Sequence, residues 1–276
     1  DPSVPASKVP CGGCGAILHC QDTGLPGFLP KERFVDLNKG ELRSIRCQRC
    51  YFLRSHKMVL NVRVSPDLYP KLLEPIRNER ALAVVILDVM DVPCSIWPGL
   101  LSIIGTKRPV IIVGNKADLL PADGPHHLER VLDSLTAAVE NTDLGRANIK
   151  YVTLVSAING YGIESLITKI HKSWGISGDI YIIGCTNSGK STLFNALLGS
   201  DMCKTEASDL IQRATTSPWP GTTLNMLKFP LLRPSGERLF LRVKRLQEQQ
   251  AKSHLDNKMK PKFTKNIKLA TLSGYL

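Results

Sequence analysis

The sequence predicts an α/β fold, in which parallel strands alternate with helices, preceded by a small cysteine-bearing module. Three observations predict it. Apolar runs of strand length lie near 81–88, 109–114, 150–155, 179–184 and 226–231, and several end in a Gly-, Asn- or Asp-containing turn. Helical apolar spacing fills segments near 98–105, 125–140, 162–173 and 190–198. Two Cys-x-x-Cys pairs come before all of these. With 276 residues, 43% hydrophobic and 22% charged, the chain can bury a core, which excludes general disorder. No apolar run approaches the ~18 residues of a membrane-spanning helix. The chain opens Asp-Pro-Ser, with no initiator Met and no signal-peptide pattern, as expected of a fragment or processed product.

In the first module, Cys11/Cys14 and Cys47/Cys50 are separated by 32 residues. Four thiolates at this spacing suit tetrahedral Zn²⁺. A disulfide framework suits small secreted domains instead. The glycines of Cys11-Gly-Gly-Cys-Gly let the backbone turn tightly and aim amides at sulfur. The segment between the pairs is rich in Gly and Pro and is not expected to form a core alone, so metal supplies folding energy. His19 and Cys20 are substitute ligands. Four sulfurs close the site, so it is structural. Arg43, Arg46, Arg49, Arg54 and Lys57 surround the second pair, either as phosphate contacts or as a solvated face.

The run 179–199 reads strand, then Gly184-x-x-x-x-Gly189-Lys190-Ser191, then helix. This is a P-loop in its required context. Backbone N–H groups from Gly184 through Asn187, Ser188, Gly189 and on to Thr192 turn toward phosphate oxygens. Lys190 reaches the β- and γ-phosphates, and the Ser191 hydroxyl ligates Mg²⁺. The base is chosen elsewhere. The strand at 109–114 runs into Asn115-Lys116-Ala117-Asp118. The Asp118 carboxylate can accept from both N1–H and the 2-amino group of guanine, whereas adenine lacks that donor pair. The Lys116 stem would lie over the base. The strand at 150–155 ends in Ser156-Ala157, where a backbone N–H can meet guanine O6. Together these motifs predict GTP or GDP as ligand and disfavour an ATPase or kinase.

Their order is unusual: Asn115–Asp118 and Ser156-Ala157 precede the P-loop. With the paired Cys-x-x-Cys motifs and Ser217-Pro-Trp-Pro-Gly-Thr-Thr223, this resembles the YqeH-type family of circularly permuted GTPases, including its animal mitochondrial member. The likeness covers about residues 8–235. It implies a permuted Ras-like sheet behind a treble-clef-like zinc module, and GTP hydrolysis coupled to small ribosomal subunit assembly, with ribosomal RNA or the subunit as partner. For the animal member it implies mitochondria. Asn187 matches the family's P-loop asparagine, which in related GTPases helps bind K⁺. Thr223 matches the switch I hydroxyl toward Mg²⁺ and the γ-phosphate, with Thr222 the alternative. The implied domains are 1–62 (zinc module), 63–235 (GTPase domain) and 236–276 (tail). Asp88 and Asp91 match the family's Asp-x-x-Asp, and capping is the preferred role for both. His126 and His127 are adjacent, point to different helix faces and are expected to be exposed.

One departure matters. The family's switch II Asp-Thr-Pro-Gly has no counterpart after Thr223. Loss of that strand would leave the P-loop strand at the sheet edge. Leu239 to Val243 could fill the gap but brings no acid. Either the chain is an alternative or truncated product, or it binds nucleotide without hydrolysing it. The formal net charge of +12 is uneven: +4 over 1–60, +1 over 61–235 and +7 over 236–276. Basic ends suit a polyanion such as RNA, although the Lys-rich tail reads as disordered or weakly helical and equally as a solvated end.

Overall fold

A computed structural model describes residues 1–61, 63, 68–175, 178–200, 214–216, 223, 226, 237 and 240–248. The chain divides into two compact units, 1–233 and 234–276.

The first unit centres on four parallel strands: β1 (Ala81–Asp88), β2 (Pro109–Asn115), β3 (Asn148–Leu154) and β4 (Asp179–Ile183), in the order β3-β2-β1-β4. Seven of the eight residues of β1 are buried, as expected for a central strand covered on both faces. Alternation along the strands divides the core. Ala83, Val85, Leu87, Val110 and Ile112 face one layer, with α5 (Leu100–Ile104) and α6 (His127–Glu140). Leu82, Val84, Ile86, Ile111 and Val113 face the other, with α7 (Ile163–Trp174) and α8 (Lys190–Leu198). Among the described residues β4 pairs only with β1 and so forms an edge.

The sequence reading places α8 at its observed bounds and β1 likewise; β3 begins two residues earlier than expected. The expected strand at 226–231 lies outside the described residues except for Met226. Beneath the sheet, the Arg108 side chain donates to the carbonyls of Ile104, Glu79 and Ala81 at 3.1, 2.9 and 3.0 Å, and to that of Ile76. It thereby ties the entry to β1 to the turn before β2.

The cysteine module carries short helices α1 (Lys31–Phe34), α2 (Lys39–Ser44) and α3 (Gln48–Ser55), and α4 (Leu68–Leu73) leads to the sheet. Asn38 caps α2 reciprocally with Glu41. Between the pairs, Leu18, Leu29, Phe34 and Leu42 bury together with the four cysteines. The four cysteines are part of this cluster, so its burial depends on how they are held.

In the second unit, residues 240–248 are helical. Leu239 to Val243 is therefore no gap-filling strand over its described residues: Arg, Lys, Gln, Glu and Leu there are good helix formers. Apart from Glu237, the remainder of the tail lies outside the described residues.

Candidate functional site

Because the four strands are parallel, their C-terminal ends lie along one sheet edge, where ligands of open α/β sheets bind. The predicted motifs meet there. Asn115, 2% exposed at the end of β2, is the junction. Its Nδ2 donates to the Ser188 carbonyl of the P-loop at 2.9 Å, and its Oδ1 accepts from the Ala157 N–H at 3.0 Å. One side chain thus staples the loops after β2, β3 and β4. Gly189, at φ +90°, makes room for it: a Cβ there would overlap Asn115 Nδ2.

The backbone N–H expected near Ala157 for guanine O6 lies in this same loop, where the N–H of Ala157 itself donates to Asn115. Asp118 is exposed at the rim, and Ser156 Oγ donates to its Oδ1 at 2.5 Å while the Asn159 N–H donates to Ser156 Oγ at 3.3 Å. The fully buried Ser156 therefore orients the Asp118 carboxylate, and each carboxylate oxygen keeps a lone pair for further donors.

Lys116 sits in the left-handed region at φ 71°, and its Nζ pairs with Asp88 Oδ2 at 2.5 Å, both side chains largely shielded from solvent. Asp88 Oδ1 also accepts from the Met90 N–H at 3.0 Å, which is the expected capping role. The sequence reading missed its second contact, to Lys116. The only signal for it is that both residues end adjacent parallel strands, and Asp88 and Asn115 are indeed in register. No capping bond runs from the Asp91 carboxylate among the described residues.

Within the P-loop, Ser188 is buried, and its hydroxyl donates inward to the Cys185 carbonyl at 2.9 Å. Asn187 is exposed at the loop tip with φ 62°, a conformation asparagine tolerates. Lys190 donates through Nζ to the Cys185 carbonyl, and burial pulls its ammonium down to about 8. Ser191 Oγ lies 2.8 Å from Thr223 Oγ1. Two ligands cis on octahedral Mg²⁺ at 2.0–2.1 Å stand about 2.9 Å apart, so this hydroxyl pair fits that ion. Thr222, the alternative, is outside the described residues. Gly184 and Thr192 lie at the exit of β4 and in the first turn of α8.

The Sγ atoms of Cys11, Cys14, Cys47 and Cys50 are all buried and within 4.8 Å of one another, with Cys14 and Cys47 at 3.6 Å. Zinc–sulfur bonds of about 2.3 Å imply tetrahedral edges of about 3.8 Å, so the set fits zinc. The N–H groups of Gly13 and Cys47 donate to Cys11 Sγ at 3.4 and 3.2 Å. Hydrogen bonds from the other three sulfurs hold the Cys11 thiol far below its ordinary value, while contact with Cys11 pushes Cys14 and Cys50 far up. A divalent cation relieves this crowding by taking all four as thiolates. The substitutes are set aside: His19 Nδ1 accepts from the Gln21 N–H and its Nε2 donates to the Pro26 carbonyl, and Cys20 is outside the four-sulfur set.

Beside the cluster, Tyr51, Phe52 and His56 stack edge to face or tilted, with centroids 5.2–5.9 Å apart. Arg43, Arg54 and Lys57 are exposed around them; Arg46 is half-buried and Arg49 buried. Burial and the neighbouring Arg54 charge lower the Arg46 guanidinium. Of the two histidines expected at the surface, His126 is exposed beside Glu129, but His127 is half-buried where α6 begins, its Nδ1 toward the Gly124 carbonyl.

Comparison with known proteins agrees with this arrangement. A family model described as "50S ribosome-binding GTPase" matches residues 179–241. Nitric oxide-associated protein 1 of Mus musculus is 41% identical over 93% of this chain and 42% of its own length. YqeH of Bacillus subtilis is 35% identical over 81% of the chain and 56% of its own length. NO-associated protein 1, chloroplastic/mitochondrial, of Arabidopsis thaliana is 30% identical over 86% and 43%. The chain thus spans between about two-fifths and just over half of these relatives. These likenesses show that the chain belongs to the YqeH-type GTPases, the family of nitric oxide-associated protein 1.

Proposed function

We propose that this chain binds GTP and GDP at the β-strand edge, in a circularly permuted Ras-like arrangement, and serves small ribosomal subunit assembly in mitochondria. The observation that carries the nucleotide reading is Asn115, which holds the P-loop, the Asp118 turn and the Ser156-Ala157 loop as one unit. Asp118 reads the guanine edge, with the Lys116 stem over the base. Lys190 leaves the Cys185 carbonyl for the β- and γ-phosphates, beside the amides of Ser188, Gly189 and Thr192. Ser191 and Thr223 hold Mg²⁺, which neutralises phosphate charge when bound. Asn187 is the residue for K⁺. Cys11, Cys14, Cys47 and Cys50 hold structural Zn²⁺.

RNA contact is supported by the exposed Tyr51 and His56 rings beside Arg54 and Lys57, since bases stack on aromatic faces while cations meet phosphates. The matched family is described by the 50S subunit, whereas likeness to YqeH implies the small subunit. Sedimentation with separated subunits distinguishes them: co-migration with the large subunit alone refutes the small-subunit reading.

The nucleotide reading is tested by Asp118→Asn. Xanthine presents N1–H and a carbonyl where guanine presents N1–H and an amine. The amide should therefore lose guanine nucleotides by about a hundredfold or more and gain xanthine nucleotides. Unchanged GDP affinity sinks the assignment. Turnover of GTP by the wild-type chain, with and without K⁺, then separates hydrolysis from binding alone.

A further inference from the structure

The cysteine cluster is bordered by a residue far along the chain. Thr215, 5% exposed, donates its N–H to the Gly13 carbonyl at 3.2 Å, within the knuckle that carries Cys11 and Cys14. The preceding Ala214 carbonyl accepts from Asn195 Nδ2, in the middle of α8, at 2.9 Å. These two bonds fix the backbone of Thr215 against the cysteines. Its side chain is left unsatisfied: Thr215 Oγ1 is buried and has no hydrogen-bond partner among the described residues. A buried hydroxyl that stays unpaired is destabilising, and native proteins keep few of them. What lies beside it is sulfur. A Cβ on Gly13 would overlap Thr215 Oγ1 and stand 2.9 Å from Cys50 Sγ. Hydroxyl and sulfur therefore border one small space, kept open because residue 13 has no side chain. The sulfurs are also unequally served. Cys11 Sγ accepts from the N–H groups of Gly13 and Cys47 at 3.4 and 3.2 Å, whereas no N–H donates to Cys50 Sγ among the described residues. Thr216, next in the chain, is exposed, so the match belongs to position 215.

We propose that the Thr215 hydroxyl is the hydrogen-bond donor to the Cys50 thiolate of the metal-loaded knuckle, so that a residue outside the cysteine module helps it to retain zinc. This rests on the assignment of zinc to Cys11, Cys14, Cys47 and Cys50. A neutral thiol is a weak acceptor, whereas a thiolate on zinc keeps negative charge and lone pairs for a charge-assisted bond. Loading the metal thus converts the hydroxyl from an unpaired group into a satisfied one. The hydroxyl hydrogen is free to turn about the C–O bond toward the sulfur. The bond orients Cys50 on the ion and draws electron density from its sulfur. It therefore slows departure of the Cys50 arm from zinc and makes the thiolate less nucleophilic. Thr215 is a positioning residue, not a zinc ligand.

The test compares the full chain with Thr215→Val, which removes the hydroxyl but keeps the branched shape and the backbone bond to Gly13. Transfer of zinc to a chromogenic chelator should be about tenfold faster in the variant. Iodoacetamide should alkylate its Cys50 faster, as read by peptide mass mapping. With cobalt in place of zinc, loss of the bond should move the sulfur-to-cobalt charge-transfer band to longer wavelength. Thr215→Ser should restore zinc retention and the band. In the metal-free chain the sign reverses: valine carries no unpaired hydroxyl, so the variant should melt at the same temperature as the wild type or higher. Unchanged zinc release, alkylation and cobalt band in Thr215→Val overturn the proposal. So does Thr215→Ser behaving like Thr215→Val, or a metal-free Thr215→Val that is destabilised as much as the zinc-loaded one, since either result points to packing rather than the hydroxyl. A wild-type chain that takes up no zinc in a metal titration overturns the cysteine assignment itself, and the proposal with it.

Discussion

Replacing Asn115 with alanine should damage the site more than its size suggests. The side chain makes two buried hydrogen bonds, to the Ser188 carbonyl at 2.9 Å and from the Ala157 N–H at 3.0 Å. Truncation leaves both backbone groups without partners. At about 1–3 kcal/mol for each of the two unsatisfied buried groups, the expected loss is about 2–6 kcal/mol. Denaturant unfolding of the nucleotide-free chain, followed by the intrinsic fluorescence of its tryptophans, measures this directly. Asn115→Asp is the informative control. It keeps an acceptor for Ala157 but turns a carboxylate toward the Ser188 carbonyl, so it should be at least as unstable as alanine. Guanine-nucleotide affinity, measured below the unfolding range, should fall in both. If alanine costs less than about 1 kcal/mol, the staple is not a buried, satisfied pair and the reasoning fails.

Four further outcomes are expected. Asp88→Asn keeps an oxygen for the Met90 N–H but ends the charge pair with Lys116; it should cost about 1–3 kcal/mol, between the exposed and buried limits, and Asp88→Ala more, by thermal melting. Lys190 titrates at about 8 folded against 10.5 ordinarily, so the folded chain holds fewer protons between those values and stability rises with pH across that window. Nucleotide phosphates that restore the charge make binding take up a proton, and affinity should weaken as pH climbs above 8; calorimetry near about pH 9 in buffers of differing ionisation enthalpy reads the proton uptake. Arg108→Ala removes bonds to four carbonyls and should destabilise by about 2–4 kcal/mol without altering nucleotide affinity at temperatures where the variant is folded. Stripping zinc with a strong chelator should expose residues 1–61 to proteolysis while the sheet stays protected; equal protection of both would refute a metal-dependent module.

Much of the site was legible in the chain because its parts are local. A P-loop is a strand, a glycine turn and a helix in one stretch, and α8 begins at Lys190 as read. The Cys-x-x-Cys pairs declare their chemistry by spacing, and the four sulfurs converge. Strand runs of β-branched and aliphatic residues name themselves, so β1, β2 and β4 stand close to where the pattern places them. What the chain alone left open concerns partners distant in sequence. Nothing in Asp88 marks it for Lys116 rather than for its own turn; parallel pairing of β1 with β2 decides that. Asn115 reads as a base-recognition residue, yet strand order also makes it the brace between three loops, with its Oδ1 accepting from the Ala157 N–H. The cysteine knuckle and the P-loop helix are each local motifs, and only the fold lays Ala214 and Thr215 across both. Spacing along a chain determines which chemistry a segment can offer. Which of those offers are taken depends on which backbone groups burial leaves in need of a partner, and that is decided in three dimensions.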